Sequence, residues 1–274
     1  MLTTGQLLAI EQLQIECEAH DHVQLKLNWE MLRERDAGQL GLFHYENERL
    51  VAFIGLYAFG STVEVCGMVK PGERRKGHFR RLFRQAMEKV RQNGCKRILL
   101  NAPAGSDTAK ALMRKLGAEY AFSEHQMEWQ ERPLGETDGI MLRPATPEDY
   151  EMRVRISVLA FGDDEADARA MESHVYAGNT DVFMIDVNDE ETVGKIRVSR
   201  EEGQAWIYGF AILPEHQGKG IGSKALRKVI QEQSAAGCSI HLEVETKNDH
   251  ALRLYESVGF KAVHAQDYYS YHGG

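Results

Sequence analysis

The stretch Ile212-Leu213-Pro214-Glu215-His216-Gln217-Gly218-Lys219-Gly220-Ile221-Gly222 has the residue types of an anion cradle. An apolar run leads into glycines, and the glycines lead into a segment with helical spacing. Glycine lets the backbone come close to a ligand. The first turn of a helix offers unbonded N–H groups and the positive end of the helix dipole. Together these suit a pyrophosphate, and Lys219 adds charge. The spacing is not the Gly-x-Gly-x-x-Gly of dinucleotide folds, and no Gly-Lys-Ser/Thr closes it as in a P-loop. Taken alone, it reads equally well as a tight strand-to-helix turn with no ligand. Downstream, His241, Glu243 and Glu245 alternate on one face of an apolar strand, and Tyr255 follows on an amphipathic segment.

The elements that must carry these residues occur twice. Arg74-Arg75-Lys76-Gly77 matches Gln217-Gly218-Lys219-Gly220, and Gly94-Cys95 matches Gly237-Cys238, both 143 positions apart. Leu116-Gly117 matches Val258-Gly259, 142 apart. A period this long means two domains. Pro133, Gly135 and Gly139 mark a linker, so the reading is one domain over 1–131, a linker over 132–139 and a second domain over 140–274.

In the second half, strands are expected at Val182–Val187, Thr192–Val198, Gln204–Leu213 and Ser239–Glu245, with a turn over Asn188–Glu191. Helices are expected from near Gly220 to Gly237, and over Asp249–Ser257. In the first half, helices fit Gln6–Ala19 and Trp29–Arg35, and strands fit Leu40–Tyr45 and Leu50–Leu56. Phe79, Leu82, Phe83, Ala86, Met87 and Val90 share one helical face. No opening strand precedes the first helix.

The formal net charge of -8 argues against general binding to nucleic acid. The four cysteines, Cys17, Cys66, Cys95 and Cys238, have no C-x-x-C or zinc spacing, so no metal is expected and a reduced cytoplasmic setting is the simplest reading. The first residues lack the pattern of a signal peptide. No apolar run approaches the ~18 residues that span a bilayer, so no membrane partner is expected.

On its motifs, the second half resembles the GCN5-related N-acetyltransferase superfamily. Gln217, Gly220 and Gly222 match that family's Gln/Arg-x-x-Gly-x-Gly/Ala. Leu254-Tyr255 and Gly259-Phe260 match its later motif, with Asn248 at the usual distance before the tyrosine. Arg143-Pro144-Ala145-Thr146 with Glu148-Asp149 matches the usual opening. The resemblance implies an α/β fold with a mixed sheet, two tandem acyl-CoA N-acyltransferase domains, and two strands that splay apart. It implies acetyl-CoA as co-substrate, with the pantetheine arm on backbone near Ala211 and Ile212. The pyrophosphate would lie on Gln217, Gly218, Lys219, Gly220, Ile221, Gly222 and Ser223, with Asn248 and Tyr255 nearby.

The implied reaction moves an acetyl group to a primary amine of a small molecule or a protein. The amine must lose a proton, and the departing thiolate must gain one or be stabilised. Tyr255 stands where the family's thiolate-protonating tyrosine stands, and a tyrosine pKa lies above that of a thiol. The run from Leu242-Glu243-Val244 to Tyr255 looks like the ribosomal-protein alanine acetyltransferase branch, in which the matching glutamate is the base. Glu243 reads equally as a glutamate held by neighbouring backbone. The alternative to an enzyme is a non-catalytic acyl-CoA sensor or interaction module.

The first half carries a degraded copy. Phe79 stands where Gly or Ala is expected, and a bulky side chain there would crowd the phosphate approach. Met113 stands where Tyr255 does. The expected role of that half is structural. The acidic run Phe161–Asp167 reads as a helix start, or else as an acceptor wall that steers a cationic amine. Tyr268, Tyr269 and Tyr271 either line the site or fill a final strand, and their alternation makes strand packing the default reading.

Overall fold

The computed structural model describes residues 2–34, 41–173, 180–188 and 191–273. The first half forms α1 (Thr4–Asp21), α2 (Trp29–Glu34), β1 (Gly41–Glu46), β2 (Arg49–Phe59), β3 (Thr62–Val69), α3 (His78–Gln92), β4 (Arg97–Pro103), α4 (Asp107–Leu116) and β5 (Glu119–Trp129). The second half forms β6 (Ile140–Pro144), α5 (Tyr150–Phe161), α6 (Glu165–Ser173), β7 (Thr180–Val187), β8 (Glu191–Glu201), β9 (Gln204–Ile212), α7 (Ile221–Ala235), β10 (Ser239–Glu245), α8 (Asp249–Val258) and β11 (Phe260–Ser270). Of the expected boundaries, Arg35, Leu40, Asp189 and Glu190 lie outside the described residues.

By contact the chain divides into two compact units. Unit 1 is Met1–Ser123 with Ala265–Gly274, and unit 2 is Glu124–His264. They do not coincide with the halves of the sequence, 1–131 and 140–274. The closing strands are exchanged. Gln266–Ser270 of β11 pairs antiparallel with β4 of unit 1. Residues 124–128 of β5 pair antiparallel with β10 of unit 2. Either strand has the alternation to fill either place, so local pattern does not choose between them.

In unit 1 the strands run β1-β2-β3-β4 and then the end of β11. β1 and β2 form a hairpin that turns at Asn47 and Glu48, both at positive φ, as a tight right-twisted hairpin requires. β1 is the sheet edge, which answers the missing opening strand. One face is covered by α1, whose Ile10, Leu13 and Cys17 pack with Leu32 on Phe53, Tyr57, Cys66 and Met68. The other is covered by α3, whose Leu82, Phe83, Ala86, Met87 and Val90 are buried as their spacing predicts. Each buried Leu, Ile, Val, Phe or Met among them stabilises by about 1.5–3 kcal/mol. Tyr268 and Tyr269 are buried in unit 1, with Tyr268 stacked on Phe122, so both serve packing.

In unit 2 the order is β6-β7-β8-β9-β10 and then the end of β5. α7 and α8 cover one face, through Leu226, Val229, Ile230, Tyr255 and Val258 on Ile196, Val198, Ile207 and Leu242. α5 covers the other, with Ile156 on Met184, Ala211 and Leu213. Among the described residues, no helix is long and apolar enough to cross a membrane.

Candidate active site

Both glycine loops adopt one backbone conformation. Each starts with a short 3-10 turn, Pro71–Glu73 or Pro214–His216. Arg75 and Gly218 follow at φ 66° and 74°, then Gly77 and Gly220 at φ 91° and 77°. Neither α3 nor α7 has a side-chain cap, so the first-turn N–H groups of both helices face outward unbonded by any cap. In α8, by contrast, the Asn248 side chain accepts the Ala251 N–H at 3.1 Å. Asn248 is therefore the helix cap, and that oxygen is already engaged. The first residue of each motif braces its loop. Gln217 Nε2 donates to the Ile212 carbonyl at 2.9 Å, and Arg74 Nε donates to the Val69 carbonyl at 3.0 Å. Arg74 also makes a two-pronged pair with Asp21, so its charge is already matched. Ser223 bonds the Gly220 carbonyl and Ile221 turns into the core, leaving their backbone to face a ligand.

Phe79 does not stand over its loop. Its ring stacks on Phe83 and lies against Gly67, where a Cβ would meet it at 2.8 Å. In unit 2 the sizes are reversed. Phe210 fills the slot from the strand side, and a Cβ on Gly222 would sit 3.5 Å from both Phe210 and Leu254. One ring occupies the same slot in each unit, carried by the helix in one and by the strand in the other.

The expected splay is present in both units. β9 and β10 pair in parallel from Gln204/Ser239 to Ile207/Leu242 and then part. Tyr208 to Ile212 and Glu243 to Glu245 thus border a gap. β3 and β4 pair from Thr62/Arg97 to Val65/Leu100 and part likewise. Here a cavity of about 530 Å³ opens in unit 1, lined by Cys66, Gly67, Phe79, Asn101 and Met113 among others. Asn101 is buried there, and its Nδ2 has no hydrogen-bond partner.

The units differ at the gap in one backbone feature. β9 carries a bulge against β8: Lys195 faces Ala211, but Arg197 faces Tyr208, so β9 holds one extra residue. Gly209 sits in the bulge at φ 52°. β3 against β2 runs in unbroken register.

Tyr255 lies in the α7/α8 core at 9% exposure, and burial pushes its hydroxyl up to about 12. Met113 has the matching place in the unit 1 core. Glu243 alternates with the core residues Leu242 and Val244, so it projects from the opposite face of the sheet, where Gln126 Nε2 donates to it at 3.3 Å. Glu243, which borders the gap, and Tyr255 thus stand on opposite faces of the sheet. On the face of Glu243, His241 stacks on Trp206, and burial lowers its pKa. The acidic run resolves into a cap: Asp164 accepts the N–H groups of Ala166 and Asp167.

Sequence reasoning missed a charged cluster on this face. Glu172 is 3% exposed and pairs with Lys195 and with Arg153 at 3.0 Å, and Lys195 also reaches Ser157. Arg197 follows two residues on. The alternation of β8 pointed these side chains away from the core, but gave no sign of partners contributed by α5 and α6.

The acetyltransferase (GNAT) family model matches residues 7–118 and again 148–260. Over 57 residues the chain is 44% identical to the N-alpha-acetyltransferase RimI of Mycobacterium tuberculosis, a match to 21% of this chain and only 35% of that protein. It is 27% identical to a mycothiol acetyltransferase of Thermomonospora curvata, over 73% of this chain and 70% of that one. A GCN5-related N-acetyltransferase from Sphaerobacter thermophilus has the same fold, with a TM-score of 0.79 at 20% identity over 98% of this chain and 93% of that one. Matched twice over most of its length, and with a splayed sheet and uncapped glycine loop in each unit, the chain belongs to the acetyltransferase (GNAT) family.

Proposed function

We propose that unit 2 transfers the acetyl group of acetyl-CoA to a primary amine by direct attack. The observation that carries this is the gap between β9 and β10, bordered by Glu243, with the uncapped Gln217–Gly222 loop following β9; Tyr255 lies in the core on the opposite face of the sheet. The pyrophosphate lies on the free N–H groups of the loop and the pantetheine arm along Ala211 and Ile212. Glu243 takes the proton of the attacking amine, directly or through water.

Tyr255 attends the departing sulfur. With burial pushing its hydroxyl up to about 12, it stays protonated and able to donate. Its contribution is therefore a hydrogen bond that strengthens as charge builds on sulfur, aided by the dry surroundings. Unit 1 has the loop, the gap and a cavity, but Met113 and Asn101 in place of the two reacting groups. We assign it binding or support without turnover.

The test is coenzyme thiol release with a panel of amines. Tyr255→Phe and Glu243→Gln are each expected to lower kcat roughly 100-fold with acetyl-CoA affinity kept. Tight acetyl-CoA binding with no amine-dependent release, and no effect of either variant, would replace the enzyme by a binding module.

A further inference from the structure

We propose that Arg197 selects acceptors whose amine is accompanied, a few bonds away, by a carboxylate or phosphate. This rests on the reading of unit 2 as an amine acetyltransferase and names its substrate class.

Arg197 projects from β8 on the same face as Glu243, since Ile196 and Val198 belong to the α7/α8 core. Its neighbours on that face are already matched to one another: Lys195 and Arg153 share Glu172. The further carboxylate near them, Asp163, interacts with Lys195, and burial raises its pKa. Arg197 itself forms no ion pair among the described residues, and its Nε is buried without a hydrogen-bond partner. A half-buried guanidinium left so is costly, and the cost falls when a carboxylate or phosphate takes two of its N–H groups at once.

The seat of that guanidinium is built. It lies flat against Gly209, where a Cβ would come within 2.9 Å of Nε and 3.1 Å of Nη2. Any other residue at 209 would push it away. Gly209 is the bulge residue, and it lies in the Tyr208–Ile212 stretch that borders the gap. The arginine is thus fixed at the lip of the gap, on the side where Glu243 awaits the amine. Unit 1 has Gly55 in the matching strand place, no bulge, and an apolar face of Phe53 and Tyr57. The arginine and its seat belong to unit 2 alone.

In the reaction so selected, the amine nitrogen attacks the thioester carbonyl carbon and forms the amide as the C–S bond breaks. The amine loses one proton to Glu243, and the sulfur leaves with the electron pair as a thiolate, hydrogen-bonded by Tyr255, and takes a proton from water to become the thiol as Glu243 returns its own to solvent. Arg197 takes no part in these transfers. It holds the anionic group and so orients the amine.

The experiment measures thiol release from acetyl-CoA with the common amino acids, their carboxamides, and 2-aminoethyl phosphate. Wild type is expected to favour anionic amines at least tenfold in kcat/KM over the matched carboxamides. The phosphate arm separates carboxylate from phosphate recognition. Arg197→Gln is expected to raise KM for the anionic amines roughly 30-fold or more, with kcat and the carboxamide kinetics within threefold. Arg197→Lys should recover part of the loss. Because the guanidinium has no ion pair among the described residues, Arg197→Gln should melt no lower than wild type. Equal use of acids and amides by wild type overturns the proposal and leaves the enzyme reading standing. So does an Arg197→Gln variant that loses both classes alike, or that melts lower. If acetyl-CoA binds and no amine at all is acetylated, the enzyme reading falls first and this proposal with it.

Discussion

Units 1 and 2 share a loop, a splayed pair of strands and a helix laid over the sheet, yet their opposite faces are unlike. In unit 1 the face under α1 is apolar: Phe53, Tyr57, Cys66 and Met68 pack against Ile10 and Leu13. In unit 2 the face under α5 carries Lys195 and Arg197, with Arg153 of α5 and Glu172 of α6 buried against it. The first arrangement stabilises. The second accepts the cost of burying charge beside a bulge and a gap, a cost that hydrogen bonding only partly offsets. The difference teaches that the glycine-loop backbone, proposed to face the coenzyme, persists independently of the face proposed for the acceptor. A phosphate cradle is made from backbone conformation, whereas a reaction needs particular side chains on both sides of the sheet.

The comparison can be broken at the exchanged ring. Phe210→Gly is expected to destabilise by about 3–5 kcal/mol, by leaving the slot beside Gly222 empty. Gly222→Phe alone overpacks that slot and costs about 1–3 kcal/mol. The double variant recreates the unit 1 arrangement and should recover at least about 1 kcal/mol relative to the sum, measured by urea unfolding. Additive losses would mean that the two slots are not equivalent.

Bracing the loop should have smaller effects. Arg74→Ala removes the bond to the Val69 carbonyl and the pair with Asp21, and is expected to cost about 1–2 kcal/mol. Gln217→Ala removes a single bond to the Ile212 carbonyl and should cost about 1 kcal/mol, with weaker acetyl-CoA binding in titration calorimetry.

Acid sensitivity should differ least. Arg143 holds the Asp149 carboxyl well below its usual range, and Arg74 lowers that of Asp21. A depressed carboxyl pKa stabilises fully above the unfolded value near 4 and loses this as pH falls through the folded value. Thermal melting between pH 6 and 3 should therefore fall less steeply in Arg143→Gln than in wild type, with a weaker flattening in Arg74→Gln.

Much of this was legible in the sequence. Phe79 to Val90 announced α3 by spacing, and Gln217 to Gly222 announced the loop, because glycine and helical periodicity are local signals. Four features were not. The exchange of β5 and β11 leaves no local trace, since each strand alternates properly in either place. The bulge at Gly209 shows only when the halves are set side by side: Val65 matches Ile207, 142 positions on, whereas Arg74 matches Gln217, 143 on. Arg197 looked like any outward strand residue, because its meaning depends on carboxylates spent elsewhere and on a glycine across the strand pair. Phe79 was read as an obstruction, since sequence shows bulk at a position but not the empty place beside Gly67 that receives it.

On the proposed reading, the chemistry belongs to unit 2. Gly77 and Gly220 give a matched test: both precede their helices at positive φ, and a Cβ on either meets nothing within 4 Å. Aspartate strains both backbones in the same way, so the pair differs only in setting a negative charge where, on the proposed reading, unit 2 holds the phosphates. Amine-dependent thiol release should fall more than 100-fold in Gly220→Asp and stay within about twofold of wild type in Gly77→Asp. Loss of turnover in Gly77→Asp, or its survival in Gly220→Asp, would contradict the account.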